Sequence, residues 1–102
     1  MLKCFFDESF VITDPVVPNS DGTELIPYTG PELTVGGELN KLAVNMSLGR
    51  NTAGVHWRTD AALALGEEIA IAILKEMREA GVYAESFAGY SLTKFDGTKV
   101  TV

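Results

Sequence analysis

The residues best able to do chemistry lie in one stretch, SLGRNTAGVHWRTD, from Ser47 to Asp60. It holds the single histidine of the chain, His56, with Arg50 six residues before it and Asp60 four residues after it. If His56 to Asp60 is helical, the two side chains share a face one turn apart. The carboxylate then accepts a hydrogen bond from one imidazole nitrogen. That bond fixes the tautomer and leaves the other nitrogen to attack or to coordinate. If Gly49 and Gly54 mark a turn between two helices, Arg50 and His56 can converge on one point. A guanidinium offers a planar fork to a phosphate-like oxyanion, and the start of the next helix would favour an anion further. Arg50, His56 and Asp60 would then form half of a tetrahedral-oxyanion site.

The same spacing has a plainer reading. A His-x-x-x-Asp pair occurs by chance in many chains, and a histidine near a helix start is often only a capping or surface hydrogen bond. Spacing alone favours that outcome. Trp57 reads as core rather than as a stacking platform, and Arg58 as solvated. Glu67 and Glu68 read as favourable charge at a helix start, not as an acid pair. Cys4, in LKCFF, reads as a buried apolar thiol. With one Cys and one His, the chain alone cannot build a zinc site of the usual kind.

Two helices must position this stretch. The first follows Thr34, a suitable N-cap. Val35, Leu39, Leu42, Ala43 and Met46 recur at helical spacing, and Gly49 suits its stop. The pair Gly36-Gly37 weakens a helix, so another element is expected to approach closely there. The second helix is capped by Thr59 or Asp60 and runs to about Ala80. Leu65, Ile69, Ile73 and Met77 lie on its apolar face, and Gly81 is the expected C′ residue. Before these helices, Leu2, Phe5 and Phe6 fall on one helical face, so 1–12 reads as the remnant of a helix. All four prolines lie within 13–31, read as a long irregular loop with a short extended piece near Thr23 to Ile26. After them, Asp96-Gly97 between β-prone runs predicts a hairpin within 88–102, with Phe95, Val100 and Val102 on one face.

At 102 residues the chain is one domain at most. Its 46% hydrophobic content against 22% charged residues excludes disorder for most of it. A net charge of −6 with eight scattered basic residues argues against nucleic acid and anionic membrane as partners. No apolar run approaches a membrane span. The opening MLKCFFDESF is not a signal peptide, because acids interrupt it at once, and the compartment stays open.

The quoted stretch resembles the third signature of the superfamily of vanadium-dependent haloperoxidases and type 2 phosphatidic acid phosphatases. That signature is S-R-x-x-x-x-x-H-x-x-x-D, and Arg50, His56 and Asp60 fit it, with Gly49 in place of the leading serine. The wording AGVHWR is similar to the haloperoxidase branch. So are LTVGGELNKLAVNMSLGR before it, LALGEEIAIAIL after it and the closing LTKFDGTKVTV, which resembles bacterial haloperoxidase-like proteins. The resemblance implies a mainly α fold: the C-terminal portion of a helical bundle, with a small C-terminal β-hairpin. Residues 1–102 would be a single incomplete domain, with 34–81 as the helical part that carries the signature.

The resemblance also implies roles. His56 would bond the metal of vanadate, or become phosphorylated in a phosphatase. Arg50 would bind the oxyanion's oxygens, and Asp60 would hold the His56 ring. The chemistry would be peroxide-dependent halide oxidation or phosphoester hydrolysis. The family's other two signatures are not in this sequence: one supplies a Lys and an Arg, the other is Pro-Ser-Gly-His. A second histidine for general acid catalysis is therefore lacking. The expectation is a C-terminal fragment of such an enzyme, inactive alone and binding vanadate weakly. Its partners would be the missing N-terminal part of the fold or further copies of itself. The alternative is a non-catalytic structural or interaction module that keeps the signature.

Overall fold

The structure is a computed structural model and describes residues 1–57, 59, 63–81 and 86–102. It is mainly helical, with two small antiparallel hairpins. Helix α1 spans Val35–Thr52 and helix α2 spans Leu63–Glu79. Strands β1 (Val16–Pro18) and β2 (Leu25–Pro27) form the first hairpin, with Val17 opposite Ile26. Strands β3 (Ser91–Thr93) and β4 (Lys99–Thr101) form the second, with Leu92 opposite Val100.

The start of α1 follows the sequence closely. The Thr34 hydroxyl accepts a hydrogen bond from the Gly37 backbone N–H at 3.1 Å, so it satisfies one of the orphan donors of the first turn. The glycine pair has the expected cause. A Cβ on Gly36 would stand 2.8 Å from Glu8 Cβ and 2.9 Å from the Glu8 carbonyl oxygen. The Gly36 N–H donates to that same oxygen at 2.9 Å. Residues 8–12 thus run against the start of α1, and Val11 and Thr34 form a β-bridge. Gly36→Ala gains some intrinsic helix propensity, but it drives a methyl into backbone, where overpacking costs about 1–3 kcal/mol. The clash should win. We expect a net loss of about 1–2 kcal/mol, read as a lower urea midpoint at unchanged slope.

Two segments differ from the sequence expectation. The opening residues form only one 3-10 turn, Leu2–Cys4, not a longer helical piece. The Asp7 carboxylate accepts from both the Ser9 N–H and the Ser9 hydroxyl, which makes a turn at the point where a helix would have continued. The proline-rich segment has an extended piece close to the expected place, at Leu25–Pro27, but it pairs with a second strand that was not expected. Its Asn19 to Thr23 turn closes β1 onto β2 through Asn19 N–H to Glu24 carbonyl and Thr23 N–H to Asn19 Oδ1 bonds. Pro18 and Pro27 end the two strands at positions between the hydrogen-bonded pairs, where no ladder donor is lost.

The core sits where α2 meets the second hairpin. Leu74 is fully buried, and Tyr90, Leu92 and Val102 close around it. Ile71, Met77, Phe87, Val100 and Cys4 pack against that cluster. Val100 and Val102 share the inner face as expected, whereas Phe95 stands at the rim, 39% exposed. Tyr90 meets Phe5 and Phe87 edge-on, with ring centroids 5.5 and 5.0 Å apart. The N-terminal segment also ties the hairpin in place. Lys3 Nζ donates to the Thr93 carbonyl at 2.7 Å, and the Thr93 hydroxyl donates to Glu8.

This core is small for the chain. The radius of gyration is 17.1 Å, against about 13 Å for a compact chain of this length. The accessible surface is 7725 Å², against about 5,600 Å² for a compact protein of this mass. The excess is apolar in large part: Phe6, Phe10, Leu42, Met46, Leu48, Leu65 and Ile69 are all exposed.

The Asp96-Gly97 turn behaves as its chemistry dictates. The Asp96 carboxylate accepts from the Thr98 N–H at 2.8 Å and pairs with Lys94 at 3.3 Å. The Thr98 bonds, then Lys94, hold its carboxyl below the usual carboxylate range. Its contribution to the turn is therefore complete above the ordinary carboxylate pKa, and is lost as pH falls through the lowered one. An NMR titration should show the Asp96 carboxyl and the Thr98 amide moving together, with a midpoint below that of a free aspartate.

Candidate oxyanion site

The end of α1 sets the geometry of the site. The sequence suggests a stop at Gly49, but the helix runs through it to Thr52. The stop is made by Gly54, whose φ of +70° is one that residues with a side chain rarely adopt. Gly54 N–H donates to the Asn51 carbonyl at 3.0 Å, and Val55 N–H to the Arg50 carbonyl at 3.4 Å. This is the Schellman pattern, with Gly54 at C′ and Val55 at C″. It places Arg50 in the last helical turn, where a cation suits the helix dipole.

His56 follows at a bend, outside either helix. The pairing of His56 with Asp60 lies outside the described residues, as Asp60 and Arg58 themselves do. The C-terminal turn brings the backbone of Val55, next to His56, onto Arg50. Arg50 and His56 thus stand at the same end of α1, and both are exposed. Trp57 is 80% exposed, which corrects its reading as a core residue. The local reason is its place just past the Schellman turn, clear of the Leu74 cluster.

An oxyanion such as vanadate or phosphate presents four oxygens and needs donors on several sides. An arginine fork and an imidazole suit one side of it. Two exposed side chains do not surround it, so the described residues fit such a group only in part. Among the described residues, no three His, Cys, Asp or Glu side chains are grouped to hold a metal ion. No helix among them is long and apolar enough to cross a membrane.

Two other features bear on the chemistry. Burial pushes the Cys4 thiol up, so Cys4 stays protonated near neutrality and suits the packing role expected of it. Glu67 does more than complement a helix start. It accepts the Phe95 N–H at 2.7 Å and pairs with Lys94 at 3.4 Å, pinning the second hairpin to α2. Sequence reasoning missed this contact, because it joins positions 28 residues apart with no local signal.

The chain is 43% identical over 106 residues to a vanadium-dependent bromoperoxidase of Corallina officinalis, and equally so to one of Corallina pilulifera. Both matches take in the whole of this chain and 17% of the length of the relative. A vanadium-dependent bromoperoxidase of Ascophyllum nodosum is 48% identical over 65 residues, which is 62% of this chain and 12% of that protein. The similarity supports the vanadium haloperoxidase resemblance. No family profile and no solved structure matches the chain.

Proposed function

We propose that the chain carries the Arg50–His56–Asp60 part of an oxyanion site of the vanadium haloperoxidase kind, within a helical-bundle fold that this chain completes only in part. The observation that carries this reading is the 43% identity over the full chain to bromoperoxidases about six times longer. The motif Arg50, His56, Asp60 lies inside the matched span. Arg50 donates its fork to the anion, His56 offers one ring nitrogen to the central atom, and Asp60 orients the ring from the other nitrogen. Vanadate, when bound, supplies the activation of peroxide for halide oxidation. A phosphate-like anion suits the same donors, and hydrolysis of phosphoesters is the sister chemistry of the superfamily.

The remaining donors, and a second general acid, come from outside these residues: from the rest of a longer polypeptide or from a partner chain. The exposure of Arg50 and His56 agrees with a site still lacking its other wall. Its competitor is a non-catalytic interaction module, for which the large exposed apolar surface also speaks. A vanadate titration separates them. The oxyanion reading requires binding that falls on His56→Ala and on Arg50→Ala. Binding that ignores both substitutions would leave the interaction module standing.

A further inference from the structure

A cleft of about 430 Å³ lies between α1, α2, the opening turn and the second hairpin. Leu39, Leu42, Ala43 and Met46 form its α1 wall, and Ala70 and Phe95 face them from the other side. The volume and the apolar lining are those of small-molecule sites, not of packing faults. On α1 the wall residues recur at i, i+3, i+4 and i+7, and continuing that stripe by one turn from Met46 reaches Arg50. Arg50 itself lies beyond the cleft, whose lining on α1 ends at Ser47. The Asn40 carboxamide lines it too, and its oxygen is buried without a hydrogen-bond partner among the described residues. Such an acceptor is costly to leave unmade.

We infer that this cleft binds a small neutral aromatic molecule with one hydrogen-bond donor, such as a phenol. The ring fills the space between Ala43, Met46 and Ala70, and the donor meets Asn40 after a small turn of the amide. The binding stands on the cleft alone. That the molecule is the organic substrate of the Arg50 site rests on the function proposed above.

The test is an NMR titration of this chain with 1-naphthol. Saturable shifts are expected at the Ala43, Met46 and Ala70 methyls. Ala43→Phe and Ala70→Phe fill the cleft from opposite walls, so each should weaken binding at least tenfold while far-UV CD stays unchanged. Either variant serves if the other fails to fold. Val44→Phe, off the cleft, should bind as the parent does. 1-Naphthol should bind about three- to tenfold tighter than 1-methoxynaphthalene, and Asn40→Leu should erase that difference. Absence of saturable shifts, binding that survives both filling variants, or a dimer that buries these methyls would overturn the inference. Orthovanadate titrated in parallel reads the oxyanion end separately, so either result can fail without the other.

Discussion

Leu74→Ala should largely unfold the hairpin end of the molecule. Leu74 has no solvent exposure, and it joins α2 to Tyr90, Leu92 and Val102. Removing a buried leucine side chain costs about 2–5 kcal/mol, the larger values applying where neighbours cannot collapse into the gap. Collapse is restricted here. The cluster is held from three sides, by Glu67 on the Phe95 amide, Lys3 on the Thr93 carbonyl and the Tyr90–Val102 backbone pair. Small domains have little stability to spare, so the loss is a large share of the total. Thermal unfolding followed at Tyr90 and by far-UV CD should show the transition displaced by tens of degrees or absent at 25 °C. A shift under about 5 °C would mean that the core lies elsewhere.

The second large effect concerns the chemistry. Exchanging the matching segment of the Corallina officinalis bromoperoxidase for this chain should give a hybrid that keeps peroxide-dependent bromide oxidation. The match over the whole chain at 43% identity defines the segment to exchange. In that hybrid, Arg50→Ala and His56→Ala should each lower kcat by about a hundredfold or more, as expected for the loss of a group that meets developing charge. The bare chain should be inactive, because its described residues fit an oxyanion from one side only. An active hybrid indifferent to His56→Ala would remove the histidine from the site. Full activity from the bare chain would remove the need for any further donors.

The elements that fix themselves locally were readable in the sequence. Thr34 as N-cap, Gly81 past the end of α2 and the Asp96-Gly97 turn each depend on neighbours a few residues away. Gly36 is crowded by Glu8, far off in sequence, and only the helix-weakening glycine pair signals it. The errors came where a local signal had a rival. Gly49 is helix-compatible when the helix has somewhere to go, and Gly54 took over the stop because only its backbone adopts the left-handed turn. His56 lies two residues past that glycine, on a bend. Trp57 looked like core because large aromatics usually are, and proximity to a turn outweighed that tendency. Glu67 and the α1–α2 cleft were illegible because they join residues far apart in sequence. The roles of Arg50, His56 and Asp60 came from family resemblance. Spacing by itself favoured a plain hydrogen bond.

The proposed oxyanion site requires that Arg50 and His56 hold one anion together. The direct measurement is an NMR titration of this chain with orthovanadate and with orthophosphate at constant ionic strength, following the His56 ring and the Arg50 guanidinium. Both anions should shift both side chains with one common, weak affinity, and Arg50→Ala should reduce the affinity read at His56 at least tenfold. Shifts no larger than those from matched chloride, or a His56 response untouched by Arg50→Ala, would contradict it.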